Sequence, residues 1–380
     1  MGFKEDIMQT PSHDAYEQTR LKRQTKIGIL LLAMILSIIL VLIPQHPLIN
    51  KDNQDIGTDT SSYIALIGEL ARSENVSELI FQAFILQSNG DRPLSLIFFF
   101  LLYQVAGGNN NNLSEVIEHS PIILGPGLVL GLYFLTVELT RNEKISLIAA
   151  FLGAISFHTL IGIYAGLYAN WLGLIVGYVS IAFLFRYLRL GRLFDIVAFS
   201  TLLIAVLFIH VYTWTILAAV SGIFLLAILI LTFKWHKISS NLFTKRRIIW
   251  LLVAILISVA VDIAKVSLTS SSSGLQRDIE LAQRDLGTEQ FTMQWDILNV
   301  TMHDSLGGVF SNFVILLLGL FWVLKSNMRE PSTVFLIIFL SAAIVPLYFG
   351  SWTLQNRVLY DIPFEIPAAI ALYYISARLD

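Results

Sequence analysis

Long apolar runs follow one another along most of this chain, and no other feature limits its possible folds as tightly. The first extends from Ile27 to Pro44, close to the shortest run that crosses a hydrocarbon core as a helix. Others lie at roughly 120–140, 145–163, 168–185, 193–210, 213–233, 248–268, 306–324, 332–349 and 358–377. Each is about long enough to cross ~30 Å of lipid. Helices are the expected form, because a backbone in lipid must satisfy its own hydrogen bonds. Composition agrees: 56% of the 380 residues are hydrophobic and 14% are charged, more apolar surface than a water-soluble fold can hide. The predicted fold class is all-α, a polytopic integral membrane helical bundle of about ten spans.

The basic residues orient this bundle. Arg141 and Lys144, then Arg186, Arg189 and Arg192, then Lys234 to Arg247, then Lys325 and Arg329, all fall between alternate runs. Placing them inside puts both termini in the cytoplasm, with 1–26 as a cytoplasmic tail and 27–380 as the membrane domain of a plasma-membrane protein. The first run reads as a retained anchor, since no small-residue cleavage site follows it. Leu94 to Ala106 is apolar but short, and reads as an interfacial or re-entrant helix within a long first external loop, 45–119. In that loop Ser61 to Ala71 and Val76 to Leu86 have helical-period apolar positions. A second large external loop covers 269–305, and its polar stretch Gln276 to Asp296 reads as a solvated lid. The sequons at Asn75, Asn112 and Asn299 all fall outside in this topology.

A net charge of −2 gives no attraction to nucleic acid, and the absence of cysteine excludes disulfides and thiol chemistry. The polar residues that remain gather on the external side. Asp52, Asp55, Asp59 and Asp91 lie in the first loop. Asp59 stands where it could simply cap the helix that follows. His158, Asn170, His210, Tyr212 and Trp214 fall at the external ends of runs, where aromatic residues are ordinarily interface anchors. Asp262 and Lys265 form an i, i+3 pair. Arg357, in Gln355-Asn356-Arg357, precedes Asp361 and Glu365 at i+4 and i+8 and so shares a helix face with them.

A long loop after the first span, carrying Asp59-Thr60-Ser61-Ser62-Tyr63 and then Ala71-Arg72, resembles the GT-C glycosyltransferases. It is most similar to their dolichyl-phosphate-mannose protein mannosyltransferase-like branch. Arg92-Pro93-Leu94 before an apolar helix fits the same pattern, whereas Thr60 stands where that branch has a second acid. The resemblance implies a glycosyltransferase that moves a sugar from a polyprenyl-phosphate donor to a glycan, protein or lipid acceptor outside the membrane. It implies Asp59 as general base, assisted by Asp55 or Asp91. Arg357 suits the departing phosphate by position and by bidentate geometry, with Arg92, His210, Lys265, Tyr63, His158, Asn170, Tyr212 and Gln355 as further substrate-binding candidates. No cofactor is expected; a divalent cation between Asp55 and Asp59 is conceivable but not favoured. Two other readings stay open: a transporter or flippase using Asp262, Lys265, Arg357, Asp361 and Glu365 as a polar path, and a non-catalytic subunit of the same build.

Overall fold

The computed structural model describes residues 21–52, 54–88, 90–108, 112–234, 243–269, 308–327, 330–343 and 357–377. These residues form an α-helical bundle without a strand among them. Helix α1 (Arg23–Leu42) is followed by four short helices of the first loop: α2 (Thr60–Leu70), α3 (Val76–Phe81), α4 (Pro93–Val105) and α5 (Leu113–His119). The chain continues through α6 (Pro121–Thr140), α7 (Glu143–Ile155), the short α8 (Phe157–Tyr164), α9 (Tyr168–Leu190), α10 (Leu193–Ile209), α11 (Val211–Leu229) and α12 (Lys245–Thr269). Helices α13 (Gly308–Lys325), α14 (Pro331–Ser341) and α15 (Glu365–Ser376) complete the bundle. Among the described residues, six helical stretches are long and apolar enough to cross a membrane: Arg23–Leu42, Leu113–Thr140, Glu143–Tyr164, Tyr168–Leu190, Val211–Thr232 and Lys245–Thr269. The chain is an integral membrane protein.

Helix α9 is the hub. It packs along α6 on one side and α10 on the other, and its buried residues include Trp171, Leu174, Tyr178, Ile181 and Leu184. Helices α1 and α7 flank α6, while α15 joins α7 to α13 and α12 lies against α10. Exposed apolar side chains such as Leu31, Leu32, Ile35 and Ile39 line the outer face of α1, as a lipid-facing helix requires. Helix α4 has 13 residues and is about 20 Å long, short of a crossing. It packs instead on α2, α5 and α10.

Two runs expected to be single helices are broken. The 145–163 run splits at Ser156, whose backbone is extended (φ −78°, ψ 172°). The 358–377 run is helical at 357–360, then opens until Glu365, because Pro363 has no N–H to give and restricts the residue before it. Arg357, Asp361 and Glu365 therefore do not share one helix face. Residues between α10 and α11 break at His210 in the same way (φ −158°, ψ 106°). The breaks at Ser156 and 361–364 bring their segments together: Tyr360 donates from its hydroxyl to the His158 carbonyl at 2.8 Å.

At one end of the bundle the basic residues between helices find acidic partners. Lys26 pairs with Glu143 at 2.9 Å, Arg189 with Glu138 at 2.6 Å and Arg186 with Asp195 at 3.2 Å. The acidic loop holding Asp59 lies at the other end.

Candidate functional site

The Asp59 loop is fastened to the α8–α9 turn by backbone. Thr58 N–H donates to the Tyr164 carbonyl and Asp59 N–H to that of Ala165, each at 3.2 Å. Two glycines make this approach possible. Gly57 (φ +95°) and Gly166 (φ +69°) both lie in the left-handed region, and a Cβ on Gly166 would stand 2.9 Å from the Asp59 nitrogen. Asp59 occupies the N-cap position of α2, yet its carboxylate accepts no bond from the first turn. The simple capping role does not apply, and the half-buried carboxylate is left for other work. Thr60 points the opposite way: fully buried, its hydroxyl lies 2.6 Å from the Ile56 carbonyl and 2.9 Å from the Tyr168 hydroxyl. An acid at position 60 would be a buried charge on the packing side of the loop. Asp55 is exposed, and its Oδ1 accepts from Ser114 of α5 at 2.9 Å.

Tyr63, one turn after Asp59, is 2% exposed and accepts at its hydroxyl from the Ala169 N–H at 3.0 Å. Its ring packs edge-on against Phe99, and the Arg92 guanidinium lies 5.6 Å from the ring centre. Burial lowers the Arg92 pKa, but the Tyr63 hydroxyl, Asp59 and Asp91 more than offset this and raise it above the usual arginine value. Arg92 thus lies over Tyr63, within electrostatic reach of Asp59 and Asp91.

A second polar cluster lies where α9, α11 and the 357–361 segment meet. His210 is 7% exposed and stands at the break between α10 and α11; burial, then the charges of Arg357 and Arg92, keep its imidazole well below the usual histidine range. Its Nδ1 accepts the Thr213 N–H at 3.3 Å and lies 2.8 Å from the Thr213 hydroxyl. Asn170 donates to the Thr213 hydroxyl oxygen at 3.0 Å and to Asp361 Oδ1 at 2.6 Å. The Arg357 guanidinium rests 4.5 Å from the centre of the Tyr212 ring, a cation–π contact, and also feels the charge of Asp361. His210 feels the charges of both Arg357 and Arg92, so the two clusters are within electrostatic reach of each other.

The remaining candidates lie in separate pairs. Lys265, 3% exposed, is between Asp262 at 3.5 Å and Asp91 at 3.8 Å, tying α12 to the first loop. His158 is fully buried, its Nδ1 2.5 Å from Glu365 Oε1. The polar path a transporter would need is divided between these closed pairs and the Asn170–Thr213–Asp361 cluster. Gln355 and the 276–296 lid lie outside the described residues. Trp171 and Trp214 are at most 1% exposed and Tyr212 is 5% exposed, so these aromatic residues are core, not interface anchors. Sequence reading missed Thr213; its place three residues after a helix-breaking His210, where a cap finds its donor, was the available signal. Among the described residues no group of three His, Asp or Glu converges as a metal site. The two acids expected to assist Asp59 are already engaged, Asp55 by Ser114 and Asp91 by Lys265, so the donor set fits a bound cation poorly.

The chain has counterparts among solved structures. Its structure is similar to the archaeal oligosaccharyltransferase AglB from Archaeoglobus fulgidus in complex with an inhibitory peptide and a dolichol-phosphate (TM-score 0.65, 14% identity, 93% of this chain and 50% of that one). The apo form of that enzyme gives a TM-score of 0.63 at 14% identity, over 94% of this chain and 51% of the other. The form tethered to an acceptor peptide with an NVT sequon gives 0.60 at 14% identity, over 94% and 50%. The chain has the membrane GT-C fold. It spans about half the length of these structures. No protein-family model matches it, and no curated protein is significantly similar in sequence.

Proposed function

We propose that this protein is a membrane glycosyltransferase that moves a glycosyl unit from a polyprenyl-phosphate-linked donor to an acceptor hydroxyl or amide at the external face of the bilayer. What supports the reading is that Asp59 lies within electrostatic reach of Arg92, and His210 within reach of both Arg357 and Arg92, in a chain of GT-C fold. The acceptor heteroatom attacks the anomeric carbon and the bond from that carbon to the phosphate oxygen breaks, its electron pair leaving with the polyprenyl phosphate. Asp59 takes the proton that the acceptor loses. Arg92 and Arg357 stabilise the negative charge gathering on the phosphate, and the imidazole of His210 adds a neutral donor. Tyr63 and Asp91 hold Arg92 in place; Tyr212 does the same for Arg357.

The Asp59…Tyr63 and Ala71-Arg72 pattern favours a single phospho-linked sugar, such as a dolichyl-phosphate hexose, over a lipid-linked oligosaccharide. The test is transfer by the purified protein in proteoliposomes, given a panel of radiolabelled polyprenyl-phosphate sugars and a mixed pool of peptide, glycan and lipid acceptors. We expect labelled product and release of polyprenyl phosphate from at least one donor. No turnover of any donor in correctly folded protein would sink the reading and favour the non-catalytic subunit.

A further inference from the structure

A groove opens in the wall of the bundle at the end where the basic residues gather, opposite the Asp59 loop. It is a cavity of about 190 Å³ between α6 and α9, lined by Phe134 and Glu138 of the first helix and by Val179, Ala182, Phe183 and Arg186 of the second. Their spacing explains its shape. Phe134 and Glu138 stand one turn apart, and positions 179, 182, 183 and 186 follow one stripe of α9 for about 10 Å. The floor is the small side chain of Ala182, 6% exposed, while Phe134 is 51% exposed, so the groove opens on the outer surface. Phe194 of α10, 69% exposed, meets Phe183 edge-on at 6.0 Å and extends the apolar wall. Along both helices the order is the same: apolar residues first, then Glu138 and Arg186 at the basic end.

A phospholipid has that order too, with its chain at depth and its phosphate at the surface. We propose that this groove binds one anionic membrane phospholipid, an acyl chain lying along Val179 and Phe183 and the phosphate meeting the Arg186 guanidinium. Size favours a chain. An apolar cavity of about 150 Å³ takes a benzene ring, so this one takes a stretch of a single chain, whereas a partner helix is at least about 10 Å across and does not enter. Charge favours an anion. Arg186 keeps 38% of its side chain exposed although its Nε lies 3.2 Å from the buried Asp195, and a guanidinium suits phosphate geometry. Glu138, in the same mouth, is held by Arg189 at 2.6 Å, which offsets its repulsion of a phosphate. With the exposed Arg192 in the next turn, three arginines (186, 189 and 192) stand against two carboxylates (Glu138 and Asp195), a surplus of one positive charge. The site does not depend on the reaction assigned to the Asp59 end.

The test is photocrosslinking of the full-length protein in nanodiscs with phosphatidylglycerol carrying a diazirine on one acyl chain, the labelled peptides mapped by mass spectrometry. Label should concentrate in 134–138 and 179–186 above the level on the lipid-facing side of α1. Unlabelled phosphatidylglycerol should displace it about fivefold better than phosphatidylcholine, the effect of about 1 kcal/mol from one arginine on an anionic headgroup. Val179→Trp, which fills the groove, should remove this label and leave that on α1 unchanged. Arg186→Gln combined with Asp195→Asn removes the cation without stranding a buried acid, and should erase the preference for phosphatidylglycerol while keeping the label. Label spread evenly over α1 and α9 overturns the proposal, as does equal displacement by the two lipids. A dimer whose contact shields 179–186 from label assigns the groove to a second copy and overturns it as well.

Discussion

Asp59 can face a substrate only because its backbone is held by something other than its own side chain. Two N–H bonds to the α8–α9 turn fix the loop, and the facing glycines at 57 and 166 let the two backbones meet. Gly166→Ala should therefore act on both stability and activity. A left-handed alanine costs about 1–2 kcal/mol, and its Cβ would press on the Asp59 nitrogen 2.9 Å away. A lowered thermal midpoint together with reduced transfer is expected, whereas Gly107→Ala, left-handed but with nothing within 4 Å of its Cβ, should lower stability alone. Sequence reading reached Asp59 and Tyr63 through their spacing. It missed the partner segment, because nothing in Tyr164-Ala165-Gly166 says that its carbonyls will be used by a loop a hundred residues earlier. The inward aim of Thr60 was equally hidden, since its partner Tyr168 lies in another helix.

Between elements, the C-terminal end of α12 is fastened to the first loop by a buried cation. Lys265 stands between Asp262 on its own helix and Asp91 next to Arg92. The sequence showed the i, i+3 pair with Asp262 but not the tertiary partner. Lys265→Met should destabilise the protein by about 3 kcal/mol, because it leaves a buried carboxylate uncompensated. Adding Asp262→Leu should recover part of that loss, and a double-mutant cycle on thermal unfolding in detergent would measure it. The His158–Glu365 pair joins α8 to α15 in the same manner. Glu365→Leu should be strongly destabilising, and combining it with His158→Leu should be milder than the sum of the two single losses. Helix breaks were the least legible elements. Hydropathy counts apolar residues and is blind to a Ser156 at which the backbone turns extended, because one polar residue barely lowers a run's average.

For the molecule as a whole, the length of the apolar runs was enough to read an all-α membrane bundle, since lipid leaves the backbone few choices. The fold likeness covers 93% of the chain at 14% identity, so the architecture stands where almost no sequence signal survives. The site was only partly legible for the same reason. Asp59, Arg92, His210 and Arg357 come from four distant segments, and only packing around α9 brings them within electrostatic reach. Sidedness is open to direct measurement because the chain has no cysteine. Single cysteines at the exposed positions Asp52 and Lys144 should label oppositely with a membrane-impermeant maleimide on intact cells: Asp52→Cys at once, Lys144→Cys only after permeabilisation. Labelling of both from one side would mean that the chain crosses the membrane an even number of times between them, and Asp52→Cys labelling only after permeabilisation would overturn the external site. The most direct test of the central claim is sugar transfer by wild type and Asp59→Asn, measured side by side in proteoliposomes with the donor that wild type accepts. The account predicts a fall of about 10²–10⁴-fold in the mutant, the usual worth of a general base, with an unchanged thermal midpoint. Equal transfer by the two proteins would contradict it and move the base away from Asp59.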